Sequence, residues 1–229
     1  MKKIIKTIEQ STIALLMLAL MFLVVEPAVS SSASATSQFT ETLTVSSEIS
    51  FITPGSNIVM LPNIQGLTGG TANGQTQVRV LTNNATGYTM TIVASSSLGM
   101  VGNTQGGNIP AYVSGSVPDY TFSPATGGTP GKFGFTVEAS STNTADLVAA
   151  FKDDGISACG GAGSIDTSNA CWSGVTTTPI MIVNRSTFTP SSGATTTIKF
   201  RASVGSNPNP IIPEDTYTAT TTLTATENP

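Results

Sequence analysis

From Phe39 to Ala225 this sequence places its apolar residues at every second position, in short runs separated by turn residues, and that period admits little besides extended strands. Val78 and Val80 alternate with Gln77 and Arg79, and beyond Asn83-Asn84-Ala85-Thr86-Gly87 the residues Tyr88, Met90, Ile92 and Ala94 alternate with Thr89 and Thr91. This predicts a hairpin turning at the asparagines. Phe133, Phe135 and Val137 alternate with Gly134, Thr136 and Glu138, after a short strand expected at Tyr120 and Phe122. Ile180 to Val183 form an unbroken apolar strand, and Ile198, Phe200, Ala202 and Val204 alternate with Lys199, Arg201 and Ser203. Asn207-Pro208-Asn209-Pro210 forbids regular pairing, because proline lacks the donor a ladder needs. A last strand carries Tyr217, Ala219, Thr221, Leu223 and Ala225 on one face and threonines on the other.

Near the start of this pattern Phe39, Leu43, Val45, Ile49 and Phe51 share one parity, while Thr40, Thr42, Thr44 and Glu48 take the other. Gln38 to Phe51 therefore reads as two strands or one bent strand. Its apolar face either completes the chain's own sheet or enters a neighbour's open groove, and alternation does not distinguish the two.

One segment departs from period two. With Asn143 or Thr144 as N-cap, Leu147, Ala150 and Phe151 fall at i, i+3 and i+4, which predicts a helix of about two turns over Ala145–Phe151 ending near Gly155. Aperiodic chain follows, so residues 143–178 are expected as an excursion inserted between strands. It holds both cysteines, Cys159 and Cys171, predicted to form a disulfide that stabilises the fold by roughly 3 kcal/mol through restriction of the unfolded chain. Trp172, the sole tryptophan, and Phe151 are the candidate contact residues of the excursion; the competing reading packs Trp172 against the bridge. Asp146, Asp153, Asp154 and Asp166 lie in the same stretch, but their spacing matches no calcium loop, and no metal is expected.

The disulfide presumes export, and the N-terminus supports it. Lys2, Lys3 and Lys6 precede an uncharged apolar run, Ile13 to Val25, and Ala28-Val29-Ser30 and Ala33-Ser34-Ala35 supply small-residue cleavage contexts. Residues 1–35 are expected to be a signal peptide, because 13 apolar residues fall short of the roughly 20 that a bilayer core demands. The remaining 36–229 carry six basic and eleven acidic residues and suit one β-sandwich domain.

Charge then limits function. Only 10% of residues are charged, against about a quarter in an average protein, so the surface is made of hydroxyls and amides. So few cations cannot neutralise a run of phosphates, which excludes nucleic acid as a partner. The absence of histidine removes the Ser-His-Asp and Cys-His nucleophile systems and imidazole metal sites. Glu138 and Asp119 remain as carboxylates for glycoside hydrolysis, with nothing in the sequence to pair them. Asn84-Ala85-Thr86 and Asn184-Arg185-Ser186 satisfy the glycosylation pattern without more.

Two segments carry a resemblance. The run Ile211-Ile212-Pro213-Glu214-Asp215-Thr216-Tyr217-Thr218-Ala219-Thr220, continued to Pro229, resembles the closing strand of the WxL cell-wall-binding domains, and Thr86-Gly87-Tyr88-Thr89-Met90-Thr91-Ile92 is similar to their mid-domain strand. The defining Trp-x-Leu is absent: Thr221 and Thr222 precede Leu223. The whole chain resembles secreted β-rich surface proteins of candidate-phylum bacteria, which implies a surface location.

The expected architecture is all-β: an immunoglobulin-like antiparallel β-sandwich of about seven to ten strands, with a short helix and a disulfide-closed loop inserted. The expected role is a secreted or cell-surface structural or adhesive protein, non-catalytic and without cofactors. A cell-envelope polymer, a glycan or other surface proteins are its expected partners. A strand-donating filament subunit and a glycan-active enzyme are the alternatives.

Overall fold

The computed structural model describes residues 11–21, 35–139, 144–161 and 163–229. The predicted cleavage contexts, apart from Ala35, and the predicted N-cap Asn143 lie outside them. The chain forms two compact units, Met1–Thr44 and Val45–Pro229. In the first, residues 11–21 are helical and Ile13, Leu15, Leu16 and Met17 are exposed. Among the described residues no helix is long and apolar enough to cross a membrane.

The second unit is built of antiparallel strands: β1 (Ile49–Thr53), β2 (Gly70–Thr82), β3 (Tyr88–Ala94), β4 (Met100–Gly102), β5 (Asn108–Ile109), β6 (Lys132–Ala139), β7 (Ser173–Gly174), β8 (Ile180–Arg185), β9 (Ala194–Val204), β10 (Tyr217–Thr218) and β11 (Thr221–Glu227). They make a five-stranded sheet in the order β1-β2-β9-β6-β7, a three-stranded sheet β11-β3-β8 and a small sheet β10-β4-β5. The inward faces of the two larger sheets share one core in sandwich-like fashion. Val78, Val80, Ile198, Phe135 and Val137 come from the first, and Tyr88, Met90, Ile92 and Ile182 from the second. Each is at most 3% exposed, as period-two alternation requires of a half-buried sheet.

The predicted hairpin at residues 83–87 is corrected. β2 and β3 belong to different sheets, so the turn carries the chain from one layer to the other. β2 pairs along eleven residues with the distant β9, and β3 lies between β11 and β8. The turn chemistry itself is as expected: Gly87 adopts φ +79°, closed by its N–H donating to the carbonyl of Asn84.

Three further expectations change. Ladder pairing in the Gln38–Phe51 segment begins only at Ile49, and residues 35–48 lie in no strand. Tyr120 and Phe122 form no strand; the pairing there is a single bridge between Asp119 and Trp172. The expected helix over Ala145–Phe151 is two 3-10 turns, Thr144–Asp146 and Ala149–Phe151, with Val148 extended between them. The cause is sheet pairing: Leu147 bridges Val183, and the Val148 N–H donates to the Ile182 carbonyl at 3.2 Å. Covering the β8 edge draws out the middle of what would have been a helix.

Candidate functional site

The excursion between β6 and β8 is fastened at three points. Cys159 and Cys171 are joined by a disulfide with their Cα atoms 5.8 Å apart, and Cys171 is fully buried. Phe151 packs on Phe135 with ring centroids 5.6 Å apart, so the second 3-10 turn closes the core. Asp153 is 1% exposed and ties the two sides of the loop together. Its Oδ1 accepts from the Gly155 N–H at 2.7 Å and the Thr167 hydroxyl at 2.6 Å, and its Oδ2 accepts from the Thr167 N–H at 2.8 Å. A buried carboxylate with this many donors is satisfied and organises the loop.

Both contact candidates are thereby corrected. Phe151 is 2% and Trp172 1% exposed, so neither offers a platform to a partner. Trp172 lies on the outer face of the five-stranded sheet, in a cluster with Tyr112 and Phe122. Its indole N–H donates to the Asn169 carbonyl at 2.7 Å, its ring stands edge-on to Phe122 with centroids 5.3 Å apart, and the Arg201 guanidinium carbon lies 4.4 Å from its centroid. Tyr112 can approach the sheet closely because of Gly134 and Gly174: a Cβ on Gly134 would strike the Tyr112 side chain, and one on Gly174 the Tyr112 backbone.

The carboxylates of the excursion each have their own partners. Asp146 pairs with Arg185. Asp154 accepts three N–H groups, from Ile156, Ser157 and Ala158, which hold its pKa down to about 2. Asp166 accepts the Ala139 N–H at 2.9 Å, and burial, reinforced by Glu138 and Asp153, pushes its pKa up to about 6. No three His, Cys, Asp or Glu side chains among the described residues converge as metal ligands. Glu138 accepts from Lys199 at 2.7 Å and from the Asn169 N–H at 2.6 Å, whereas Asp119 accepts from the Tyr112 hydroxyl at 2.6 Å. The two carboxylates weighed for hydrolysis thus serve separate networks.

A concavity lies elsewhere. Between β1 and β11, where the two larger sheets part, runs a cleft of about 670 Å³ open to solvent. Phe51, Val78, Ile92, Phe200 and Leu223 form its apolar floor and walls, and Ser56, Thr76 and Thr220 its polar rim. Beyond the cleft the Ser47 hydroxyl donates to Glu227 Oε2 at 3.0 Å, joining the approach to β1 to the end of β11. Sequence reasoning missed this feature, because it arises from two edges that only the tertiary pairing brings face to face. Chemically its lining offers apolar contact and the hydroxyls of serine, threonine and tyrosine side chains.

The chain matches no family model, no curated protein and no solved structure.

Proposed function

We propose that the chain is an exported, non-catalytic structural or adhesive module of the cell envelope, an immunoglobulin-like sandwich whose partners are envelope polymers, glycans or other surface proteins. The disulfide carries this reading. A bridge whose Cys171 is fully buried and whose loop is fastened by Phe151 and Asp153 belongs to a fold matured in an oxidising compartment. The basic-then-apolar N-terminus agrees. Most polar side chains at the excursion hold one another, which favours a scaffold over a reaction centre. Weak net charge means that affinity comes from contact area and hydrogen bonds, so binding to an envelope polymer changes little with salt.

The test is fractionation of the producing cells, with mass spectrometry of the protein recovered. Recovery with the envelope or medium, beginning at Thr36 and with oxidised cysteines, supports the reading. Recovery of the intact polypeptide from cytosol with free thiols at Cys159 and Cys171 overturns it.

A further inference from the structure

The two larger sheets end in four terminal strands, and three are protected against pairing with another chain. β1 shifts register between Phe51 and Thr53 and runs into Pro54. β7 is only two residues long. The outer edge of β8 is occupied by Leu147 and Val148. Bulges, prolines, short strands and covering segments are how sheets avoid edge-to-edge association. β11 has no bulge, no proline and no shortness, and among the described residues its own chain meets its edge only towards Glu227, where β1 approaches and the Ser47 hydroxyl donates to Glu227. Thr221 to Thr226 holds no charge and no proline, and the strand stays in unbroken register with β3 over its seven residues.

The inner face of β11 is also incompletely covered. Thr221, Leu223 and Ala225 are only half-buried, whereas Tyr88, Met90, Ile92 and Ala94, one strand further in, are 0–6% exposed. The apolar cleft opens along this edge. A strand laid beside β11 would satisfy its outer backbone groups and roof the cleft at once.

The same chain carries a segment with the pattern such a strand requires. Phe39, Leu43 and Val45 are 81%, 88% and 75% exposed and fall on one face of an extended chain, interrupted by Glu41. Thr40, Thr42 and Thr44 take the opposite face, matching the exposed Thr222, Thr224 and Thr226 of β11. Seven extended residues span roughly 23 Å, the length of β11.

We propose that Phe39–Val45 of one copy adds as a strand to the β11 edge of a second copy, laying Phe39, Leu43 and Val45 over its cleft. Donor and acceptor surfaces differ, so the contact is head-to-tail and propagates into a filament or closes into a ring. This rests on the structural reading above and specifies its partner as another copy of the chain.

The test uses the full chain, exported so that its disulfide forms, examined by light scattering and negative-stain imaging. Wild type is expected to form concentration-dependent assemblies. The variant Phe39→Asp with Leu43→Asp alters only exposed side chains; it should keep the wild-type melting temperature and associate at least tenfold more weakly. A synthetic peptide of residues 36–47 should bind this variant one to one and block assembly of wild type. Assembly that persists in the double variant, failure of the peptide to bind it, or a monomeric wild type with its β11 edge protected from hydrogen exchange by its own N-terminal segment each overturn the proposal. A monomer in the envelope fraction removes strand addition and leaves the structural reading intact, whereas cytosolic protein with free thiols removes that reading.

Discussion

The guanidinium carbon of Arg201 lies 4.4 Å from the ring centroid of Trp172 and 5.5 Å from that of Phe122, on the side of the five-stranded sheet facing away from the core. Arg201 Nε also donates to Asn73 Oδ1 at 2.7 Å, which fixes the plane of the cation over the rings. The contact explains how β6, lined on its inner face by the main core, is buried on its outer face too: Gly134 and Thr136 face this second cluster and its loop rather than water.

Trp172 is therefore expected to report a buried environment. Its fluorescence should be blue-shifted and weakly quenched by acrylamide until the protein unfolds. Trp172→Ala should destabilise by about 3–5 kcal/mol, the range for deleting a buried large aromatic. Arg201→Ala should cost about 1 kcal/mol through lost stacking. Strong quenching in the native protein would return Trp172 to the role of a contact residue.

Replacing both cysteines with alanine removes a twelve-residue cross-link and should cost roughly 3 kcal/mol. Phe151 and Asp153 hold the loop through contacts independent of the sulfurs, so the variant should still fold cooperatively, at lower denaturant midpoint. A midpoint unchanged within error would mean that the bridge adds nothing beyond those contacts.

Asp166 makes stability depend on pH in the direction opposite to most carboxylates. Its pKa rises on folding from the ordinary carboxylate value to about 6, so the native state holds this proton more tightly. Its contribution is most favourable below pH 4 and is lost as pH rises from 4 through 6. Asp166→Asn keeps an acceptor for the Ala139 N–H without the charge. Its stability relative to wild type should therefore grow between pH 4 and pH 6.5, then level off; a difference that stays flat across this window in chemical denaturation would contradict the burial argument.

Period two placed β3, β6 and the later parts of β2 and β9 correctly, because alternation reports directly which side chains a sheet buries. The closing strand read as one run over Tyr217–Ala225 is instead divided between β10 and β11, in different sheets. Alternation could not say which sheet. A turn at residues 83–87 looks the same whether it closes a hairpin or crosses between layers, and the choice is made by the pairing of β2 with β9, more than a hundred residues away. The helix-like spacing of Leu147, Ala150 and Phe151 was likewise real but overruled by the free edge of β8. Cysteine parity sufficed for the disulfide. Nothing in local spacing could reveal the stacking of Arg201 on Trp172 or the cleft beside β11, since both depend on strands distant in sequence. Phe151 and Trp172 were misjudged for a related reason: an irregular loop gives no period from which to read burial.

Tyr88 offers a test of the core itself. Its side chain is fully buried between the sheets, and its hydroxyl has no hydrogen-bond partner among the described residues. Burial, with the nearby Asp146 carboxylate adding to it, pushes its pKa up to about 12, so the group is neutral at any pH where the protein is stable. An unsatisfied neutral hydroxyl opposes folding, while the ring supplies packing against Met90 and its neighbours. Tyr88→Phe keeps the ring and removes the orphan oxygen, and should leave stability unchanged or raise it by about 1 kcal/mol. Tyr88→Ala should lose about 3–5 kcal/mol by opening a cavity. If Tyr88→Phe instead proves clearly destabilising in equilibrium unfolding, the hydroxyl holds a partner in the folded protein and the two sheets meet differently at that point.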